Sequence, residues 1–183
     1  MIEVLVSFDT TGSMYPAVGL VKRNVTSLVK ALFAEIPDLR MGIITHGDYC
    51  DGDDMISMLE LTSDEKKVVS FVTNAKSTGG GDAPECYELV LHEARSFRWT
   101  AGSTKVLIMI GDDVPHPVNQ NPKKLDWKNE AGCLKDIGVK IYGIQALNRR
   151  HATNFYQTIS DITDGIKLDL DLIIVLTVKG NET

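Results

Sequence analysis

The chain has 183 residues, 43% of them hydrophobic and 24% charged, which suits one globular domain spanning 1–183 with a core that needs no staples; two domains would each be thin. A net charge of -6 with Lys and Arg scattered argues against nucleic acid, whose phosphates call for a basic footprint. Three cysteines, Cys50, Cys86 and Cys133, show no C-x-x-C spacing, so neither a disulfide framework nor a zinc site is expected.

Ile2 to Phe8 is short, apolar and rich in Val, Ile and Leu, the pattern of a strand buried on both faces of a parallel sheet. With Glu3 at its start and no basic n-region, it reads as a strand and not as a secretory signal. A helix from about Met14 to Phe33 follows, with Val18, Val21, Val25, Leu28, Val29 and Leu32 on one face and Pro37 blocking its continuation. Arg40 to Thr45 is the next strand, and the weakly alternating Met55 to Leu61 reads as an edge strand. Between them lies the acidic stretch His46 to Asp54, a solvated loop that lacks the closing Glu of a twelve-residue calcium loop.

Thr62-Ser63-Asp64-Glu65 has the spacing of a capping box and opens a helix that carries Val68, Val69 and Val72. A glycine-rich segment, Ser77 to Glu85, leads into a helix over Glu85 to Arg95. Lys105 to Ile110 is a second buried strand, then come a helix over Asp126 to Ile137, a strand over Lys140 to Gln145 and a helix over Asn154 to Ile162. The run Lys167 to Lys179 reads either as a last strand or as a strand with a short helix. Its apolar core, Leu172 to Leu176, is far short of the ~20 residues of a membrane span. No membrane partner is therefore expected, and reduced thiols fit a cytoplasmic protein. Alternating strands and helices imply an α/β fold with a mostly parallel, doubly wound sheet flanked by helices. Ligands of such sheets bind beyond the carboxyl ends of the strands.

The first strand delivers Asp9, and Thr10-Thr11-Gly12-Ser13 follows at once. One carboxylate and two hydroxyls at alternate positions can converge on a hard cation such as Mg²⁺, although the same residues could simply cap a helix. Two further acidic loops favour the cation. Ser77-Thr78-Gly79-Gly80-Gly81-Asp82-Ala83-Pro84-Glu85 lets the backbone approach a ligand, and Gly111-Asp112-Asp113 puts two carboxylates at another strand end. So many acids at one sheet edge would repel without a cation.

These motifs resemble a known family. Asp9-Thr10-Thr11-Gly12-Ser13 is similar to the D-x-[ST]-x-S signature of the metal-ion-dependent adhesion site in von Willebrand factor A (vWA) domains. The Gly79 to Glu85 loop resembles that family's second loop, with an Asp-Ala-Pro-Glu similar to integrin β-subunit I-like domains, and Gly111-Asp112 resembles the third motif. The resemblance implies a Rossmann-like vWA fold and a bound Mg²⁺, with Mn²⁺ or Ca²⁺ as alternatives. It implies that Thr11 and Ser13 ligate directly, Asp9 directly or through water, and Asp112 through water. The second-loop ligand stays open among Asp82, Glu85 and Thr78, the first two ranking ahead, and Asp48 and Asp113 are candidates for the surrounding layer. The metal's open position would accept an acidic side chain from a protein partner.

Enzymatic activity is not expected. A Mg²⁺-dependent phosphotransfer or hydrolase domain is the competing class, since acids around a cation also build such sites. It lacks support from a second Asp two residues after Asp9, where Thr11 stands, or from a G-x-x-x-x-G-K-[ST] loop. A structural metal in a subunit of a larger assembly is a third possibility. His116 is read as structural, His92 as helical and His151 as exposed, while Trp99 and Trp127 fit either a core or a sticky surface.

Overall fold

The computed structural model describes residues 1–81 and 84–170. Six strands form one sheet: β1 (Ile2–Asp9), β2 (Leu39–His46), β3 (Ile56–Thr62), β4 (Thr104–Gly111), β5 (Val139–Gln145) and β6 (Lys167–Asp169). Five α-helices accompany them among the described residues: α1 (Tyr15–Glu35), α2 (Glu65–Asn74), α3 (Tyr87–Ala94), α4 (Trp127–Asp136) and α5 (Thr153–Ile162). The strand order is β3-β2-β1-β4-β5-β6, parallel except for β3, which runs antiparallel at the edge.

Side chains alternate across β1, and the core is split accordingly. Val4, Val6 and Phe8, with Met41 and Ile43, pack against Val21, Val25 and Val29 of α1 and Val68 and Val72 of α2. Leu5, Ile44, Leu107, Met109 and Ile141 face the other way, onto Val90 and Leu91 of α3, Leu134 of α4, and Phe155 and Ile159 of α5. Each fully buried aliphatic side chain of this kind contributes about 1.5–3 kcal/mol. Helices on both faces thereby hold β1 and β4 in the centre of the sheet. From that centre the chain winds outward through β2 and β3 on one side and through β5 and β6 on the other. The reversal falls between β1 and β4, the position where open α/β sheets leave a crevice at the carboxyl ends of their strands.

Several local boundaries differ from the sequence reading, each for a hydrogen-bonding reason. A short 3₁₀ turn, Gly12–Met14, precedes α1, which then runs two residues past Phe33. The cap of α2 is Asp64, whose carboxylate accepts from the Lys67 amide at 3.2 Å; Thr62 still belongs to β3. Glu85 is not helical. Its amide donates to the Val114 carbonyl at 2.9 Å in a β-bridge with Pro115, so α3 begins only at Tyr87. Trp99 and Trp127 pack against the α3–α5 core, the latter edge-on to Phe155. The C-terminal run opens as the strand β6, and its residues 171–179 lie outside the described residues. No helix among the described residues is long and apolar enough to cross a membrane.

Candidate functional site

Asp9 is the last residue of β1 and has no solvent-accessible surface. One carboxylate oxygen accepts from the Thr11 amide at 2.7 Å and from the Thr11 hydroxyl at 2.6 Å, and the other accepts from the Tyr87 hydroxyl at 2.6 Å. Thr11 Oγ1 lies 3.2 Å from Ser13 Oγ, which donates to Asp112 Oδ1 at 3.0 Å. A continuous chain of oxygens thus runs from β1 to the residue just beyond β4. It joins the carboxyl ends of the neighbouring strands β1 and β4.

Tyr87 ties the two strand ends together a second time. The amides of Asp112 and Asp113 both donate to its hydroxyl, at 3.2 and 3.3 Å. A Cβ on Gly111 would lie 2.1 Å from that hydroxyl, so the residue before Asp112 must be glycine. Sequence reasoning passed over Tyr87. An aromatic residue on a helix face that also supplies core gives no sign that its hydroxyl will serve two carboxylate loops.

The three loops are stitched by their backbones. Thr78 donates its amide to the Thr10 carbonyl at 2.9 Å, and Gly12 donates to the Gly79 carbonyl at 3.1 Å. Asp51 accepts from the amides of Gly79, at 2.9 Å, and Gly80, at 3.2 Å. The stretch His46 to Asp54 is therefore only partly the solvated loop its composition suggested. His46 ends β2 and is buried, Asp48 is buried within 3.3 Å of His116 Nε2, and Asp51 anchors the glycine loop, while Asp53 and Asp54 are exposed.

Of the second-loop residues, Thr78 turns its hydroxyl to Thr10 Oγ1 at 3.2 Å, and Glu85 is buried beside Thr11, the two flanking Gly80. Asp82 lies outside the described residues. Asp113 is buried, not solvated, and meets His151 Nε2 at 3.0 Å. Asp112 Oδ2 meets Arg149 Nε at 2.7 Å in an ion pair without hydrogen-bond alignment. His116 sits buried between Asp48 and Glu88, as a structural histidine would, and His92 on α3 faces Glu130.

Burial and crowding set the electrostatics. The Glu85 carboxyl is pushed up to about 9 by burial and by the charges of Asp9 and Asp48, with the Thr11 hydroxyl pulling the other way. Burial also raises Asp9, against its hydrogen bonds from Thr11 and Tyr87. Asp112 rises through burial and the Asp9 charge, opposed by Ser13 and Arg149. Glu85 Oε2 has no hydrogen-bond partner among the described residues. Such a set can stay neutral by holding protons, or ionise around a cation. No group of three or more His, Cys, Asp or Glu side chains is placed to hold a metal among the described residues; the oxygen cluster at this edge mixes carboxylates with two hydroxyls.

No family model matches the chain. It is 28% identical over 117 residues to the alpha-protein kinase vwkA of Dictyostelium discoideum, a match covering 63% of this chain and 19% of that protein. Among solved structures, the pilus adhesin SpaC of Lactobacillus rhamnosus GG, in an open conformation, superposes with a TM-score of 0.69 at 14% identity over 92% of this chain. The chain spans about a quarter of the adhesin's length and about a fifth of the kinase's. At that identity the adhesin speaks for the fold alone. The three cysteines are free: Cys50 is exposed, Cys86 buried and Cys133 half-buried.

Proposed function

We propose that the chain is a vWA-type domain, doubly wound, that holds one divalent cation at the Asp9–Ser13 corner and uses it to bind the acidic side chain of a protein partner, without enzymatic turnover. The observation that carries this reading is the convergence of Asp9, Thr11, Ser13 and Asp112 from two adjacent strand ends into one oxygen cluster, across the crevice between β1 and β4. The residues fit a hard cation on two counts. The donors are all oxygen, and the surrounding acids are buried with an orphaned oxygen on Glu85 and without enough positive charge to balance them. Thr11 and Ser13 would hold the ion through their hydroxyls, with Asp9, Asp112 and Glu85 as the charged surround, and Asp82 as a further candidate from the second loop. Mg²⁺ is the ion proposed, with Mn²⁺ or Ca²⁺ as substitutes. The ion would supply an electrophilic position for an external carboxylate.

The protein's own residues do the rest. Tyr87 keeps Asp9 turned toward Thr11, Gly12 and Gly80 keep side chains off the opening, and the stitched loops hold the hydroxyls in place before any ligand arrives. The free thiols and the absence of a membrane-crossing helix among the described residues are compatible with the cytoplasm as its setting. The test is a pull-down with wild type and Asp9→Ala, with EDTA and then with Mg²⁺ or Mn²⁺ restored. Capture that is lost in EDTA, recovered with metal and missing in Asp9→Ala supports the reading; capture indifferent to EDTA overturns it.

The likeness to an alpha-protein kinase favours one second reading, Mg²⁺-dependent phosphotransfer. A phosphatase and ATPase screen with Mg²⁺ separates the two. Turnover abolished by Asp9→Ala would replace the binding reading.

A further inference from the structure

Two partly exposed basic side chains reach the acids of this site, and both come from the loop between β5 and α5. Arg149 lies on Asp112 and His151 on Asp113, with side chains 38% and 53% exposed. The loop places Arg149 firmly. Its carbonyl accepts from Gln145 Nε2 at 2.6 Å and from the Ala152 amide at 3.0 Å, fastening it to the end of β5 and the start of α5. Just before it, Leu147 and Asn148 take left-handed backbone angles, φ 55° and 45°. Such conformations cost about 1 kcal/mol or more each in non-glycine residues and persist where the surrounding structure dictates them.

A guanidinium paired with a carboxylate frequently engages both of its oxygens with its fork. Here Asp112 Oδ1 is taken by Ser13, and Arg149 meets Oδ2 through Nε. Neither Nη group makes a hydrogen bond among the described residues. Arg149 is therefore three contacts from Thr11 along the path Thr11, Ser13, Asp112, Arg149, with no protein partner for its Nη groups among the described residues. A carboxylate offers two oxygens in the geometry this fork matches.

We propose that Arg149 determines ligand specificity: it is the second anchor for the carboxylate of an acidic peptide that docks at the Asp9–Ser13 cluster, and it selects a two-oxygen anion over a neutral ligand. This rests on the cation reading above. Arg149 supplies direction and a charge-assisted hydrogen bond beside the ion, while its ion pair with Asp112 keeps the fork pre-set.

The test measures Mn²⁺ affinity by calorimetry and poly-L-glutamate binding by fluorescence anisotropy, for the full chain and its Arg149→Ala, Arg149→Lys and Arg150→Ala variants, at fixed salt, in saturating Mn²⁺ and in EDTA. All four proteins are expected to take Mn²⁺ within about threefold of one another. Arg149→Ala should weaken poly-L-glutamate binding about tenfold or more, Arg149→Lys should fall between, and Arg150→Ala should match the wild type. Equal poly-L-glutamate binding by wild type and Arg149→Ala, both abolished in EDTA, overturns this proposal and leaves the cation reading standing. An equal loss in Arg150→Ala makes the effect a diffuse attraction and overturns it too. A tenfold gain in Mn²⁺ affinity in Arg149→Ala would reduce Arg149 to an internal counter-ion. Wild-type binding unaffected by EDTA overturns both readings.

Discussion

Strand β1 carries a buried acid near its start, Glu3, and another at its end, Asp9, and the two are treated in opposite ways. At the amino end, Glu3 receives the Thr100 amide and hydroxyl, each at 2.8 Å, the Ser103 hydroxyl at 2.6 Å and the Arg40 guanidinium. Burial alone would raise its carboxyl, but those hydrogen bonds and the Arg40 charge outweigh it and hold Glu3 below the usual range. At the carboxyl end, burial outweighs the hydrogen bonds that Asp9 accepts from Thr11 and Tyr87, the Asp113 charge adds to it, and Asp9 is held above that range. One end is a finished structural joint. The other carries more negative charge than its own side chains balance, which is the condition a cation relieves.

Breaking the finished end should have the largest effect. Arg40→Ala leaves Glu3 buried without its cation, and a loss of about 3 kcal/mol is expected. Urea unfolding should show this loss equally with Mg²⁺ and with EDTA, since nothing at that end awaits an ion. A loss that Mg²⁺ rescued would collapse the contrast between the two ends.

The unfinished end should respond to pH with the opposite sign to a salt-bridged carboxylate. Glu85 has its folded value raised from 4.5 to about 9, so the folded state binds its proton more tightly than the unfolded chain. Its contribution is complete below the unfolded value and is lost as pH rises through the folded one. Asp9 and Asp112 are shifted in the same direction. Stability measured in EDTA should therefore fall as pH rises from 5.5 to 8.5. Saturating Mg²⁺ should flatten that slope. Stability that rises over this window without metal would show that the acids are already balanced.

The smallest effect sharpens the contrast further. Glu85→Gln removes a crowded charge and is expected to gain about 1 kcal/mol in EDTA at pH 8.5, roughly 3 °C in Tm. The same variant should gain less from Mg²⁺ than the wild type. Thermal unfolding with and without metal reads both changes, and a variant less stable than wild type in EDTA would count against charge crowding at this position.

The element order and the edge position of β3 were legible because period-two and period-3.6 patterns survive in single segments. That Asp9, Thr11, Ser13 and Asp112 lie together was legible for a related reason, as each ends or closely follows a strand that the hydrophobic pattern marks. What escaped depends on partners far apart in sequence. Tyr87 looks like any core aromatic until its hydroxyl is found between Asp9 and the Asp112 amide. Asp51 looks solvated until the amides of Gly79 and Gly80 are seen pointing at it. Arg149 was one of the scattered basic residues, with no local sign of its reach to Asp112. Glu85 stood at the start of the expected helix, whereas the backbone of Val114 claims its amide.

The stitching of the loops bears on how this site could be moved to another protein. Thr10 and Gly12 share backbone hydrogen bonds with Thr78 and Gly79, and Asp51 holds the latter loop from a third direction. No one of these segments carries its own shape. A transplant of residues 9–13 alone would import the oxygen donors without the scaffold that aims them. A portable unit needs residues 9–13, 47–51, 78–81 and 111–112, together with a tyrosine hydroxyl reaching in from the helix beneath.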